Sequence, residues 1–122
     1  MSERWPRRGL RLAAAPRVAA LFLAALSVSG AARADDVSQL SLGKTLFTKG
    51  ATPSCALCHT LKDAGTSGAV GPVLDELQPD AARVETALRN GIGAMPSYKA
   101  TLKDDQIQAL ARYVAKATGA AN

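Results

Sequence analysis

Cys55, Cys58 and His59 fall within five consecutive positions, in the run PSCALCHT at residues 53–60, and they are the chain's only cysteines and only histidine. Four chemistries use such a set. A disulfide between residues three apart closes a tiny loop and gives little chain-entropy stabilisation. A thiol redox pair is the second use, since Cys-x-x-Cys lowers a thiol pKa, but that chemistry normally sits on a βαβ framework, which no pattern here suggests. A structural zinc wants four ligands, and two thiolates with one imidazole supply three. The fourth is covalent haem, for which Cys-x-x-Cys-His is the attachment pattern: Cys55 and Cys58 form thioethers and His59 supplies an axial nitrogen to iron. Only this use accounts for all three residues.

A six-coordinate iron needs one more ligand. Met1 apart, Met95 is the only methionine, 36 residues beyond His59. If the sixth ligand is soft and neutral, Met95 is the candidate. It sits in GIGAMPSY, residues 91–98, where Pro96 stiffens the backbone beside it. The plainer use of a methionine is to fill a gap in a core.

Helices must position these residues. Residues 38–49 read as a helix with Leu42, Leu46 and Phe47 on one face, Ser38 or Asp36 as cap and Gly50 at its end. Gly43 inside it costs about 1 kcal/mol relative to Ala, which a close helix crossing would offset. Residues 61–74 read as a Gly- and Ser-rich loop with a turn at Gly71-Pro72. Residues 79–90 read as a short helix with Pro79 at its first position, Val84 and Leu88 one turn apart, and Gly91 as terminator. The last helix is the most periodic: Ile107, Leu110, Ala111 and Val114 recur at helical spacing, with Asp104 and Asp105 near its start and Lys116 near its end. No segment alternates as a strand. The expected class is all-α with long loops.

The first 34 residues read differently. Five arginines precede an apolar run at residues 18–31, followed by Ala32-Arg33-Ala34. Charged start, apolar middle and small-x-small end are the marks of a cleaved secretory signal peptide. The apolar run is short for a membrane span, which needs about 20 residues. Cleavage after Ala34 leaves residues 35–122 as one domain, with nine basic and nine acidic residues against 15 and 10 in the whole chain. The basic excess belongs to the leader. The domain therefore has no charge signature for nucleic acid or an anionic membrane surface. It keeps only Phe47, Tyr98 and Tyr113 as aromatics, a thin core that a bound cofactor would supplement.

Together Gly43 and Phe47, the Cys55–His59 motif, Gly71-Pro72, Met95-Pro96 and the helix through Leu110, Tyr113 and Val114 resemble a class I monohaem c-type cytochrome over nearly all of residues 38–118. The resemblance implies three to five short helices wrapped around one haem c, with the first and last crossing so that Gly43 and Phe47 pack near Leu110 and Tyr113. It also implies that the Pro72 carbonyl accepts the proton on the second nitrogen of His59. One departure from the family is Lys103 where Ser or Asp often caps the last helix, with Thr101 as the alternative cap. At finer grain the domain is similar to the small cytochromes paired with periplasmic molybdenum-containing sulfite dehydrogenases.

The expected function is periplasmic electron transfer, not catalysis, between a dehydrogenase donor and an oxidase or another cytochrome. Residues 51–53 and 93–97 are candidate rim segments for docking. No nucleic acid and no lasting membrane association are expected. The competing expectation is a ligand-binding or catalytic haem protein whose sixth site is open.

Overall fold

In the computed structural model, backbone is described for Gly9 and residues 18–120, and side chains for Gly9 and residues 32–120. The chain divides into two units, Met1–Ala32 and Arg33–Asn122. The expected signal peptide lies largely outside the described residues. Among those described, no helix is long and apolar enough to cross a membrane.

Helix α1 spans Val18–Thr45. Neither Asp36 nor Ser38 caps its start. The helix already runs through these positions from Val18, so the peptide N–H groups near residue 38 have carbonyl partners. The Ser38 hydroxyl instead donates back to the Asp35 carbonyl at 2.8 Å. Thr45 and Thr48 do the same to Ser41 and Lys44, each at 3.0 Å, a habit that loosens helices. From Leu46 to Gly50 the turn widens to a π-helix, closed by the Ala51 N–H on the Leu46 carbonyl at 3.0 Å. Leu46 and Phe47 point into the core.

Helix α4 (Asp104–Ala117) buries Ile107, Leu110, Ala111 and Val114 as its periodicity predicts, and also Ala109, Tyr113 and Ala115. It crosses the end of α1 closely. A side chain at Gly43 would run into the Ala109 carbonyl and the Tyr113 Cβ, so only glycine permits this approach. Phe47 meets Tyr113 edge to face, with ring centroids 6.1 Å apart, a favoured aromatic geometry. Leu61, Leu74, Leu88, Tyr98 and Leu102 complete the core.

The connecting segments depart from expectation in five places. Two short strands, β1 (Thr60–Leu61) and β2 (Thr66–Ser67), pair antiparallel, Thr60 with Ser67 and Leu61 with Thr66. The fold is helical as expected, with this small hairpin added. Two-residue strands are too short to show alternation, and their pairing depends on a turn at Gly65, φ +66°. A short helix, α2 (Leu74–Leu77), follows the Gly71-Pro72 turn and stops at Gln78, φ 45°. Helix α3 (Ala81–Asn90) starts after Asp80, whose carboxylate accepts the Arg83 N–H at 2.8 Å. Pro79 thus precedes the cap instead of opening the helix. Helix α4 starts after Lys103, whose N–H donates to Gln106 Oε1 at 2.9 Å. Thr101 does not cap it: its hydroxyl turns back to the Tyr98 carbonyl at 3.3 Å. Finally α1, at 28 residues, is not short.

Candidate functional site

The cysteine segment follows the π-turn directly. Ser54 caps a single 3-10 turn, Cys55–Leu57, by accepting the Ala56 N–H. Its hydroxyl also lies 2.8 Å from the Thr48 carbonyl and 3.1 Å from that of Phe47, which fastens the segment to the end of the π-turn. The N–H groups of Cys58 and His59 both donate to the Cys55 carbonyl, at 3.1 and 2.9 Å. One turn therefore separates the two sulfurs and sets the imidazole next to the second.

Both cysteines are free thiols. Cys55 is only 7% exposed, and burial pushes its thiol up to about 11. A neutral thiol is a poor nucleophile and a poor metal ligand. A thioether carries no charge and suits the same buried position. Among the described residues, no three His, Cys, Asp or Glu side chains converge as a metal cage.

His59 is held from its far side. Its Nδ1–H donates to the Pro72 carbonyl at 2.9 Å. A carbonyl accepts and never donates, so this contact needs a proton on Nδ1; in the neutral ring the lone pair then lies on Nε2. Gly71 makes the approach feasible. A Cβ there would strike Cε1 of the ring and lie 2.7 Å from Nδ1. The Gly71 N–H in turn donates to the Cys58 carbonyl at 2.7 Å. Gly68 backs the peptide between Cys58 and His59, where a Cβ would meet the Cys58 carbonyl carbon at 2.5 Å. Thr66 of β2 donates to the His59 carbonyl at 2.9 Å and accepts the Leu61 N–H. The hairpin that the chain's pattern did not reveal is thus a brace for His59.

Met95 closes a tight turn. Ile92 and Met95 exchange backbone hydrogen bonds of 3.0 and 2.9 Å around Gly93, φ +56°. Gly91, φ +70°, leaves no room for a Cβ against the Met95 carbonyl. Ser97 donates to the Arg89 carbonyl at 2.6 Å and the Tyr98 N–H to that of Leu88 at 2.7 Å, tying the loop to α3. The Met95 side chain is half-buried against the core.

The structure brings Cys55, Cys58, His59 and Pro72 together directly. It joins the Met95 loop to them through Tyr98, whose hydroxyl donates to the Pro53 carbonyl at 2.8 Å. Burial, with the two cysteines nearby, raises the Tyr98 phenol to about 12. Ser54, Thr66, Gly68 and Tyr98 were not foreseen as site residues. A buried tyrosine two positions after Met-Pro is the only one with a readable signal. Of the expected rim, Ala51 is buried; Thr52, Pro53, Gly93, Ala94, Pro96 and Ser97 are exposed. Among the described residues, a surface concavity lined by Thr60, Lys62 and Asp75 and another lined by Leu40, Lys44 and Tyr113 include neither cysteine, nor His59 or Met95.

The residues fit a covalent haem: two free thiols one turn apart, an imidazole with its free nitrogen fixed, and glycines that keep backbone close to the ring. Comparisons with known proteins agree. Residues 38–114 match the family model described as cytochrome c oxidase, cbb3-type, subunit III. Cytochrome c-551 of Halorhodospira halochloris is 31% identical over 78 residues, spanning 59% of this chain and 92% of that protein. The crystal structure of the c-type cytochrome SorU from Sinorhizobium meliloti superposes with a TM-score of 0.65 at 52% identity, covering 67% of this chain and 93% of that one.

Proposed function

The chain belongs to the class I monohaem c-type cytochromes, and from that premise we propose that it is a periplasmic electron carrier with His59 and Met95 as its axial ligands. It carries one covalent haem c. Cys55 and Cys58 would hold that group by thioethers, and His59 Nε2 and Met95 Sδ would take the two faces of the iron. Bound there, the haem supplies one-electron exchange between Fe(III) and Fe(II).

The observation that carries the proposal is the His59–Pro72 hydrogen bond at 2.9 Å. It fixes the ring and its tautomer before any ligand arrives, as partners of ligating histidines do. Burial keeps the Cys55 sulfur away from thiolate chemistry. The Gly91–Pro96 turn holds Met95 at a fixed point of the chain, and Tyr98 fastens that turn to the segment before Cys55. Two protein ligands leave no open position for substrate, so the chain's role is transfer rather than catalysis. Its donor would be a periplasmic dehydrogenase, on sequence resemblance a sulfite-oxidising one, and its acceptor a path toward a terminal oxidase. Residues 1–34 would direct export and be removed.

The test is to express the precursor with haem maturation, denature it and ask whether haem stays on the polypeptide. Cys55→Ala and Cys58→Ala should weaken or abolish attachment. Met95→Ala should remove the far-red absorption band of the ferric protein and open the reduced protein to carbon monoxide. Rapid carbon monoxide binding by the unaltered protein would overturn the ligand assignment and favour a haem protein with an open sixth site.

A further inference from the structure

Two stretches of the fold carry the proposed ligands. Residues 46–75 hold Cys55, Cys58 and His59, and residues 79–103 hold Met95. Among the described residues, one hydrogen bond and no ion pair joins the two directly: the Tyr98 hydroxyl donates to the Pro53 carbonyl at 2.8 Å. Every other hydrogen bond described for residues 91–98 stays within their own stretch. Ser97 donates to the Arg89 carbonyl at 2.6 Å, the Tyr98 N–H to that of Leu88 at 2.7 Å, and Ile92 and Met95 bond each other. Helix α4 bonds to both stretches, by Tyr113 to Asp63 and by Asp104 to Arg89. Neither of those bonds involves the Met95 loop or the cysteine motif. The loop is thus fixed to α3, while apolar packing and the Tyr98 bond hold it to the cysteine segment. Apolar packing is non-directional. A hydrogen bond weakens steeply as its geometry departs from the optimum, so this one sets how the Met95 loop stands against the cysteine segment.

We infer that Tyr98 is the positioning residue that keeps Met95 on the iron, through the hydroxyl bond it gives to Pro53. The inference rests on the reading of Met95 as axial ligand. With the two segments together, hydroxyl and carbonyl satisfy each other, and Tyr98 is only 3% exposed. Once Met95 leaves, loop and cysteine segment are free to part, and both groups turn to water. The bond therefore contributes only while Met95 is in place. Removing it eases the departure of Met95 by the factor a net hydrogen bond is worth, about fivefold. Tyr98 acts through the loop rather than on the iron.

The probe is cyanide, added in saturating amount to the ferric holoprotein, which then loses its far-red band at the rate at which Met95 leaves. Tyr98→Phe should lose the band about fivefold faster than the unaltered protein, at a temperature well below both unfolding midpoints. Tyr113→Phe is the matched control. It too removes one tyrosine hydroxyl bond, the one to Asp63 at 2.6 Å, and should leave the rate unchanged although it lowers stability. Equal acceleration by both variants would make Tyr98 a general stabiliser and overturn the inference, as would an unchanged rate in Tyr98→Phe. If Tyr98→Phe does not fold, the unaltered protein decides, because coupling between two contacts is reciprocal. Its Tyr98 hydroxyl proton, followed by NMR, should exchange with water slowly at first and faster once cyanide has displaced Met95. The Tyr113 hydroxyl should be alike in both forms. Equal exchange of the Tyr98 proton in the two forms overturns the inference. A ferric holoprotein with no far-red band overturns the ligand reading itself, whereas a band whose loss is indifferent to Tyr98 overturns only the positioning role.

Discussion

The Tyr98 hydroxyl donates a 2.8 Å hydrogen bond to the Pro53 carbonyl, across 45 residues of chain. Pro53 stands two residues before Cys55, and Tyr98 stands three residues after Met95. This contact links the loop that carries Met95 to the segment that carries both cysteines.

Tyr98→Phe keeps the ring and removes the donor. A typical net loss is about 1 kcal/mol, and for a domain of this size the unfolding midpoint should fall by about 4–8 °C. Thermal unfolding of the holoprotein followed by circular dichroism reads it. An unchanged midpoint would show that the bond does not hold the loops together.

The same residue gives a pH dependence. Burial raises the Tyr98 phenol to about 12, above the ordinary value of about 10. The unfolded chain therefore ionises first. Stability should be complete below the ordinary value and fall as pH rises through the interval up to about 12. Tyr113 is raised as well, by burial and by its bond to Asp63, and adds to the fall. Denaturant titrations at stepped alkaline pH should show a shallower decline for Tyr98→Phe than for the unaltered protein; parallel curves would contradict the assignment.

Asp63 works in the opposite range. The Tyr113 hydroxyl at 2.6 Å and the Lys44 ammonium at 3.1 Å hold its carboxyl below its ordinary value. Its folded pKa is depressed, so its contribution is present above the unfolded pKa and is lost as pH falls through the folded one. Asp63→Asn should lower stability at neutral pH and flatten the acid limb of the stability curve. If the acid limb keeps its slope, other carboxylates govern it.

Gly71→Ala places a Cβ against the His59 ring. Overpacking of this kind costs about 1–3 kcal/mol. The ring must turn or the Pro72 bond must break, so the absorption spectrum and the reduction potential should shift along with the stability. A loss of stability with an unchanged spectrum would place the strain elsewhere.

Gly43→Ala tests the helix crossing. In an isolated helix the change is favourable by about 1 kcal/mol. Here the new methyl runs into the Ala109 carbonyl and the Tyr113 Cβ, which are main chain and the root of a buried side chain. The variant should be less stable in chemical denaturation despite its better propensity. A stabilised variant would mean that α1 and α4 can separate at low cost.

What the sequence by itself determined is short-range. The three-residue spacing of Cys55 and Cys58 with His59 adjacent points to the attachment chemistry proposed above, because one turn of chain sets those distances. The i, i+3, i+4, i+7 recurrence from Ile107 to Val114 specifies the buried face of α4. Met95 stood out as the proposed ligand because it is the only methionine after Met1, and Gly43 was legible because a glycine inside a helix asks for a close neighbour. Tertiary structure decided the rest. Hydrogen bonds at separations of 13, 45 and 50 residues, His59 to Pro72, Tyr98 to Pro53 and Tyr113 to Asp63, have no periodicity to betray them. The β1–β2 pairing is two residues long and follows from the turn at Gly65. The shift of the α3 start to Asp80 follows from a carboxylate finding the Arg83 N–H. Local spacing follows from the geometry of one helical turn. Contacts between distant segments exist only once packing of the core brings them within hydrogen-bonding reach.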